Sequence, residues 1–284
     1  MKKKLAVIAL AGMMAAGFTT GNVQAAEPGG ELYVFIAASL ANAMEEIQKD
    51  FNEKYPDVEI FYNADSSGTL QKQIEEGSRC DIFFSAATKQ MDALVEEKLA
   101  KEDSVKDLLE NKVVLIKLKD FETKVTGFEN ITEAENLALA GEDVPVGQYA
   151  REIFTNLGIM DQVENMEINE GKNVTEVLAA ITQGSNEVGV VYATDAASVA
   201  DQVEIIAEAP AEALETPVLY PVGLTEDQEA SSAEQEAAEV FLEYLQTEEA
   251  LTVFEEYGFS PYTEEKEESA SEENIENTEE KAAE

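Results

Sequence analysis

Leu32-Tyr33-Val34-Phe35-Ile36-Ala37-Ala38-Ser39-Leu40-Ala41-Asn42-Ala43-Met44 changes its periodicity within a few residues. Leu32 to Ala37 is a short, nearly continuous apolar run, which reads as a buried strand. Leu40, Met44, Ile47 and Phe51 then recur at the spacing of one helix face. Tyr55-Pro56 ends that helix, because the residue before a proline is pushed out of the α region. A strand that turns into a helix through Ala38-Ser39 is the repeating unit of an α/β protein.

The same unit recurs along the chain. Val58 to Tyr62 alternates as a strand, and Leu70 to Glu76 is helical and closed by Gly77. Asp81 to Ser85 is a strand, Met91, Leu94 and Val95 mark a helix, and Val113 to Leu118 is a strand. The second half continues with a strand at Leu137 to Ala140 and a helix at Tyr149 to Leu157, stopped by Gly158. Val174, Val177, Leu178 and Ile181 share a helix face that stops at Gly184. Val188 to Tyr192, Val203 to Ile206 and Val218 to Leu224 read as strands. Ala233 to Leu245 and Glu248 to Tyr257 read as helices. Strands alternating with helices predict an α/β fold of mainly parallel sheets flanked by helices.

Composition removes several function classes. Sixty acidic residues against 19 basic ones give a net charge of −41. That field repels nucleic acid and anionic lipid, so no nucleic-acid partner is expected. Histidine is absent, which removes Ser-His-Asp and Cys-His catalysis and the commonest zinc ligand. Cys80 is the only cysteine; it can form no internal disulfide and reads as a small buried apolar residue.

Both ends differ from the middle. Lys2, Lys3 and Lys4 followed by an apolar Leu5 to Phe18 read as a secretory signal peptide over residues 1–26, with Val23-Gln24-Ala25 before the cleavage site. An uncleaved anchor is the alternative. Residues 263–284 hold ten glutamates, two lysines and no aromatics. Such a segment buries too little apolar area to offset its ordering entropy, and is expected to be a disordered acidic tail.

Three junctions join a strand to a helix through small or polar residues: Ala37-Ala38-Ser39-Leu40, Asp65-Ser66-Ser67-Gly68-Thr69, and Val144-Pro145-Val146-Gly147-Gln148-Tyr149-Ala150. Each presents free backbone N–H groups at a helix N-terminus, with hydroxyls in the first two. Helix N-termini carry partial positive charge and unsatisfied donors, so they suit an anion. In open α/β sheets, ligands sit beyond the carboxyl ends of the strands, where these turns lie. Taken singly, Ser39 or Ser67 is an ordinary N-cap and Tyr192 an ordinary core tyrosine.

Together the segments resemble the molybdate-binding proteins of ABC importers, a branch of the type II periplasmic binding protein family. The resemblance is carried by Phe35 to Met44, Ser66-Ser67-Gly68-Thr69-Leu70 with Gln73 to Gly77, and Cys80 to Ala86. Val144 to Ala150, Asn173-Val174, Val188 to Ala196 and Tyr257-Gly258-Phe259 complete it. It spans roughly residues 31–262.

The resemblance implies two lobes with the ligand cleft between them: lobe one at 31–115 plus 220–262, lobe two at 116–219. It places oxyanion contacts at Ser39, Ser67, Ala150, Val174 and Tyr192. It implies a secreted protein, periplasmic or on the cell-envelope exterior. Such a protein acts as a monomer, captures molybdate or tungstate and delivers it to the membrane permease of an ABC importer. No catalysis, cofactor or bare metal cation is implied.

The large negative charge does not forbid a dianion. The Debye length is about 8 Å at physiological ionic strength, so distant carboxylates are screened. Converging hydroxyls and amides can hold an acceptor-only oxyanion in a dehydrated site.

Three other readings remain. Sulfate, phosphate or another tetrahedral oxyanion would use the same architecture. An enzyme would need paired carboxylates such as Glu45-Glu46, but adjacent acidic pairs arise by chance in so acidic a chain and usually form a solvated face. A calcium-dependent surface protein fits the charge, but the sequence lacks an Asp-x-Asp-x-Asp-Gly loop.

Overall fold

A computed structural model describes residues 28–226 and 230–262. The expected signal peptide (1–26) and acidic tail (263–284) lie outside the described residues. In chain order the elements are β1 (Gly30–Ala37), α1 (Ala41–Lys54), β2 (Val58–Asp65), α2 (Ser67–Glu75), β3 (Ile82–Phe84) and α3 (Thr88–Glu96). There follow β4 (Lys106–Asn111), β5 (Val113–Leu118), β6 (Asn136–Ala140), α4 (Pro145–Asn156), α5 (Met160–Val163), β7 (Glu167–Gly171) and α6 (Val174–Thr182). The chain continues through β8 (Val188–Tyr192), α7 (Ala193–Ser198), β9 (Val203–Glu208), β10 (Val218–Leu224), α8 (Ser232–Leu245), α9 (Glu248–Glu256) and β11 (Ser260–Pro261).

Two sheets form. The first has the order β11-β4-β10-β3-β1-β2 and the second β7-β6-β8-β5-β9. The chain crosses between them twice, at Lys112 between β4 and β5 and over 209–217 between β9 and β10. The boundary expected at 115/116 therefore falls inside β5, all of which pairs in the second sheet. The one expected at 219/220 falls inside β10, all of which pairs in the first. A strand joins one sheet as a unit, and its hydropathy does not say which.

The sheets are mixed rather than mainly parallel. β1 pairs in parallel with β2 and β3, and β6 with β7 and β8. The antiparallel pairs all involve β4, β5 or β10, the strands next to the two crossings. A strand returning from the other lobe enters its sheet from the opposite end, and only the paired partners reveal that direction.

Helices cover the sheets with one apolar face each. From α1, Ala43, Met44, Ile47 and Phe51 are buried. The Phe51 ring meets Phe241 edge-on at 4.7 Å between centroids, which locks α8 against α1. In the second lobe Val177 and Ile181 of α6 and Ile153 and Phe154 of α4 are buried. Arg79 binds Glu234 at 2.8 Å and stacks on Tyr33, tying the start of β3 to α8 and β1.

The register positions the site. β1 and β2 pair from Gly30↔Val58 to Ala37↔Asp65, so their carboxyl ends finish side by side. In the second sheet Ala140 of β6 pairs with Gly171 of β7. The segments after these strands open the helices that face one another across the cleft.

Candidate anion site between the lobes

Ser39, Ser67, Val174 and Tyr192 line one narrow cleft whose cavity volume is only about 10 Å³, together with Ala37, Ala38, Asp65, Ser66, Ala86, Val144, Pro145 and Val146. Residues 37–86 of this lining come from the first lobe and 144–192 from the second. Ser67 is the first residue of α2 and fully buried, and Val174 is the first residue of α6. Tyr192 ends β8 and caps α7. Ser39 sits in a single 3-10 turn, Ala38–Leu40, that leads into α1. α2, α4 and α6 all begin at this cleft, and helix starts carry partial positive charge and unpaired N–H donors, which makes it the candidate site.

Ala150 does not join them. It is the sixth residue of α4 and fully buried in the helix interior, so its N–H lies within the helical hydrogen-bond ladder. The helix begins at Pro145, not at Tyr149, and Val146 is the α4 residue that reaches the cleft. Proline at a first helical position was the available signal: its fixed φ suits a helix start and its missing N–H costs nothing there.

The hydroxyls are oriented by neighbours that leave their protons available. Ser67 Oγ accepts the Ala86 N–H at 2.9 Å, so its own hydrogen is free. Asn111, at the first crossing, donates to both Thr194 Oγ1 (2.9 Å) and the Tyr220 hydroxyl (3.1 Å). Tyr220 lies 3.0 Å from Ser39 Oγ. With Tyr220 accepting from Asn111 and donating to Ser39, the Ser39 proton also points elsewhere. Tyr192 reaches the Ala86 carbonyl at 3.4 Å, longer than a good O–H···O bond. Burial, reinforced by neighbouring charge, holds the Tyr192 and Tyr220 hydroxyls well above the ordinary phenol value, so both remain protonated donors.

None of the described lining residues is Lys or Arg. The only charged one is Asp65, whose Oδ1 accepts from Ser66 N (2.8 Å) and Asn173 Nδ2 (3.1 Å). The second of these bonds crosses the cleft. So do Lys72–Asp143 at 2.8 Å and Gln90 Nε2 to Gln148 Oε1 at 3.3 Å. A larger hollow beside the cleft shares Ala38 and Ser39 and is lined by Asp195. Burial pushes the Asp195 carboxyl up to about 7, partly offset by the Tyr192 N–H donated to it at 3.2 Å. Among the described residues no group of three or more Cys, Asp or Glu side chains could hold a metal ion.

Two α/β lobes crossed by paired strands, with a donor-lined cleft between them, define a solute-binding protein of the type II periplasmic class. Residues 32–260 match the family of bacterial extracellular solute-binding proteins, and the chain belongs to that family. It is 41% identical over 231 residues to YvgL of Bacillus subtilis, a lipoprotein assigned as substrate-binding for an ABC transporter; the match covers 81% of this chain and 86% of the relative. It is 36% identical to the molybdate-binding protein ModA of Haemophilus influenzae, over 80% of this chain and 89% of that one. A solved structure, the substrate-binding domain of a protein assigned as a molybdenum ABC transporter from Clostridium difficile, superimposes with a TM-score of 0.62 at 35% identity. It covers 82% of this chain and 99% of that chain. The family is one of extracytoplasmic binding proteins, not enzymes.

Proposed function

We propose that this protein captures molybdate or tungstate in the cleft between its lobes and delivers it to the membrane permease of an ABC importer. One observation carries the reading: helix N-termini and hydroxyl donors from both lobes converge on one small cleft, lined mostly by buried residues and by no basic side chain. A fully deprotonated tetrahedral oxyanion has acceptors only, and such a ring of donors matches it. The relatives named for molybdate support the choice of anion.

Ser39, Ser67, Val146, Val174 and Tyr192 are the proposed contacts. The lobes are placed at 30–111 with 218–262, and at 113–208. Ligand touching both favours the closed state by differential contacts. The protein acts as a secreted monomer at the cell-envelope exterior, and its charge keeps it from nucleic acid.

Thermal unfolding with each anion tests the reading. A ligand that binds only the folded state raises its stability by about 2.7 kcal/mol at a hundred times its Kd. Molybdate and tungstate should raise Tm at concentrations where sulfate and phosphate do not; an equal response to all four would remove the named ligand.

A further inference from the structure

We infer that Gly68 is the residue that permits the two lobes to close, an inference that rests on the solute-capture reading above. Gly68 is the second residue of α2 and buried. Its backbone gives no local reason for glycine, because it lies in a helix and is absent from the described positions with positive φ. The reason lies across the cleft. A Cβ added to Gly68 would stand 1.9 Å from the carbonyl oxygen of Asp143 and 2.9 Å from its carbonyl carbon. Real Cβ atoms do not approach backbone so closely, so one side must move.

Neither side gives easily. Val144 donates its N–H to the Gly141 carbonyl (3.1 Å), and Gln148 binds both Val144 O (3.0 Å) and Glu142 O (2.9 Å). These bonds clamp the 141–144 loop onto the start of α4. Gly68 in turn follows Ser67, whose Oγ is held by Ala86 N. The obstructing atom belongs to the other lobe, so the clash exists only when the lobes are together. Opening the cleft removes it.

Gly147 provides the contrast. A Cβ there would lie 2.2 Å from Gly141 O and 2.4 Å from Ala140 O, atoms of its own lobe. Alanine at 147 damages the second lobe whether the cleft is open or closed. Alanine at 68 is a better helix former than glycine and leaves the first lobe intact.

The test compares wild type, Gly68→Ala and Gly147→Ala by calorimetric titration with molybdate, melting of the free proteins, and small-angle scattering with and without molybdate. Gly68→Ala should melt at or above the wild-type temperature when free. It should bind molybdate at least roughly tenfold more weakly, since lobes that cannot meet lose at least one hydrogen bond to a charged ligand. It should also fail to compact on adding molybdate, whereas Gly147→Ala should melt lower. Binding within threefold of wild type, or compaction equal to wild type, overturns the assignment. A free Gly68→Ala protein that melts well below wild type also overturns it, since the glycine would then serve its own lobe. Should wild type bind none of the anions, the ligand reading fails separately. Melting of the free proteins then decides, with a Gly68→Ala protein that melts as low as Gly147→Ala counting against closure control.

Discussion

The Tyr192 hydroxyl, on the second lobe, points at the Ala86 carbonyl on the first from 3.4 Å. The pair spans the cleft with a bond too long to be strong, so the phenol O–H remains able to donate to a bound anion. Tyr192→Phe removes one donor to a charged ligand, worth about 1.5–3 kcal/mol, or roughly ten- to a hundredfold in Kd. Stability of the free protein should change by no more than about 1 kcal/mol, because the lost contact is weak. Titration and melting of the same sample separate the two effects.

Ser67→Ala should behave differently. Its Oγ already holds the buried Ala86 N–H at 2.9 Å. Truncation leaves that donor unpaired, at a cost of about 1–3 kcal/mol in stability. Affinity should fall as well, since the hydroxyl proton faces the cleft. A variant of unchanged Tm would show that Ala86 N finds another partner.

Asn173 has two tasks that can be divided. Its Oδ1 caps α6 by accepting from Glu176 N at 3.0 Å, and its Nδ2 reaches Asp65 across the cleft at 3.1 Å. Serine caps a helix about as well as asparagine but is too short to cross. Asn173→Ser should therefore keep Tm within about 0.5 kcal/mol equivalent while molybdate dissociates faster. Stopped-flow release into excess chelator reads this directly.

Asp195 sets a pH dependence. Its carboxyl is raised to about 7 by burial, against about 4 in an unfolded chain. Between those values the folded protein binds the extra proton, so this group's contribution falls as pH rises. It is fully present below about pH 4 and lost above about pH 7. Asp195→Asn keeps an oxygen to accept the Tyr192 N–H and cannot ionise. The Tm difference, variant minus wild type, should grow from near zero at acid pH to its maximum near pH 8. A difference that stays flat would mean the carboxylate ionises without penalty.

The sequence exposed the parts of the fold whose local pattern matches their burial. β1, β6, β8 and β10 are apolar runs buried along most of their length, and each was legible. β4 (Lys106–Asn111) and β7 (Glu167–Gly171) carry polar residues on exposed faces, and their pairing alone makes them strands. β11 is two residues long, and α7 is a six-residue helix of small residues, half of them alanine. Sheet direction was hidden because it depends on which lobe a strand returns from. In the site, Ser39, Ser67, Val174 and Tyr192 come together because parallel register aligns the strand ends. Ala150, placed by the resemblance alone, lies outside the cleft lining because α4 begins at Pro145 and presents its first turn there, with Val146 in the lining. Gly68 gave no sequence signal beyond its turn-like neighbours, because its constraint comes from the opposite lobe.

Calorimetric titration of the purified protein with molybdate, tungstate, sulfate and phosphate, each alone, tests the central claim most directly. Tight one-to-one binding of molybdate and tungstate, with sulfate and phosphate weak, is the predicted result. The Ser39→Ala, Tyr192→Phe double variant should then lose most of that affinity. Heat from none of the four anions, or a double variant that binds as well as wild type, would contradict the account.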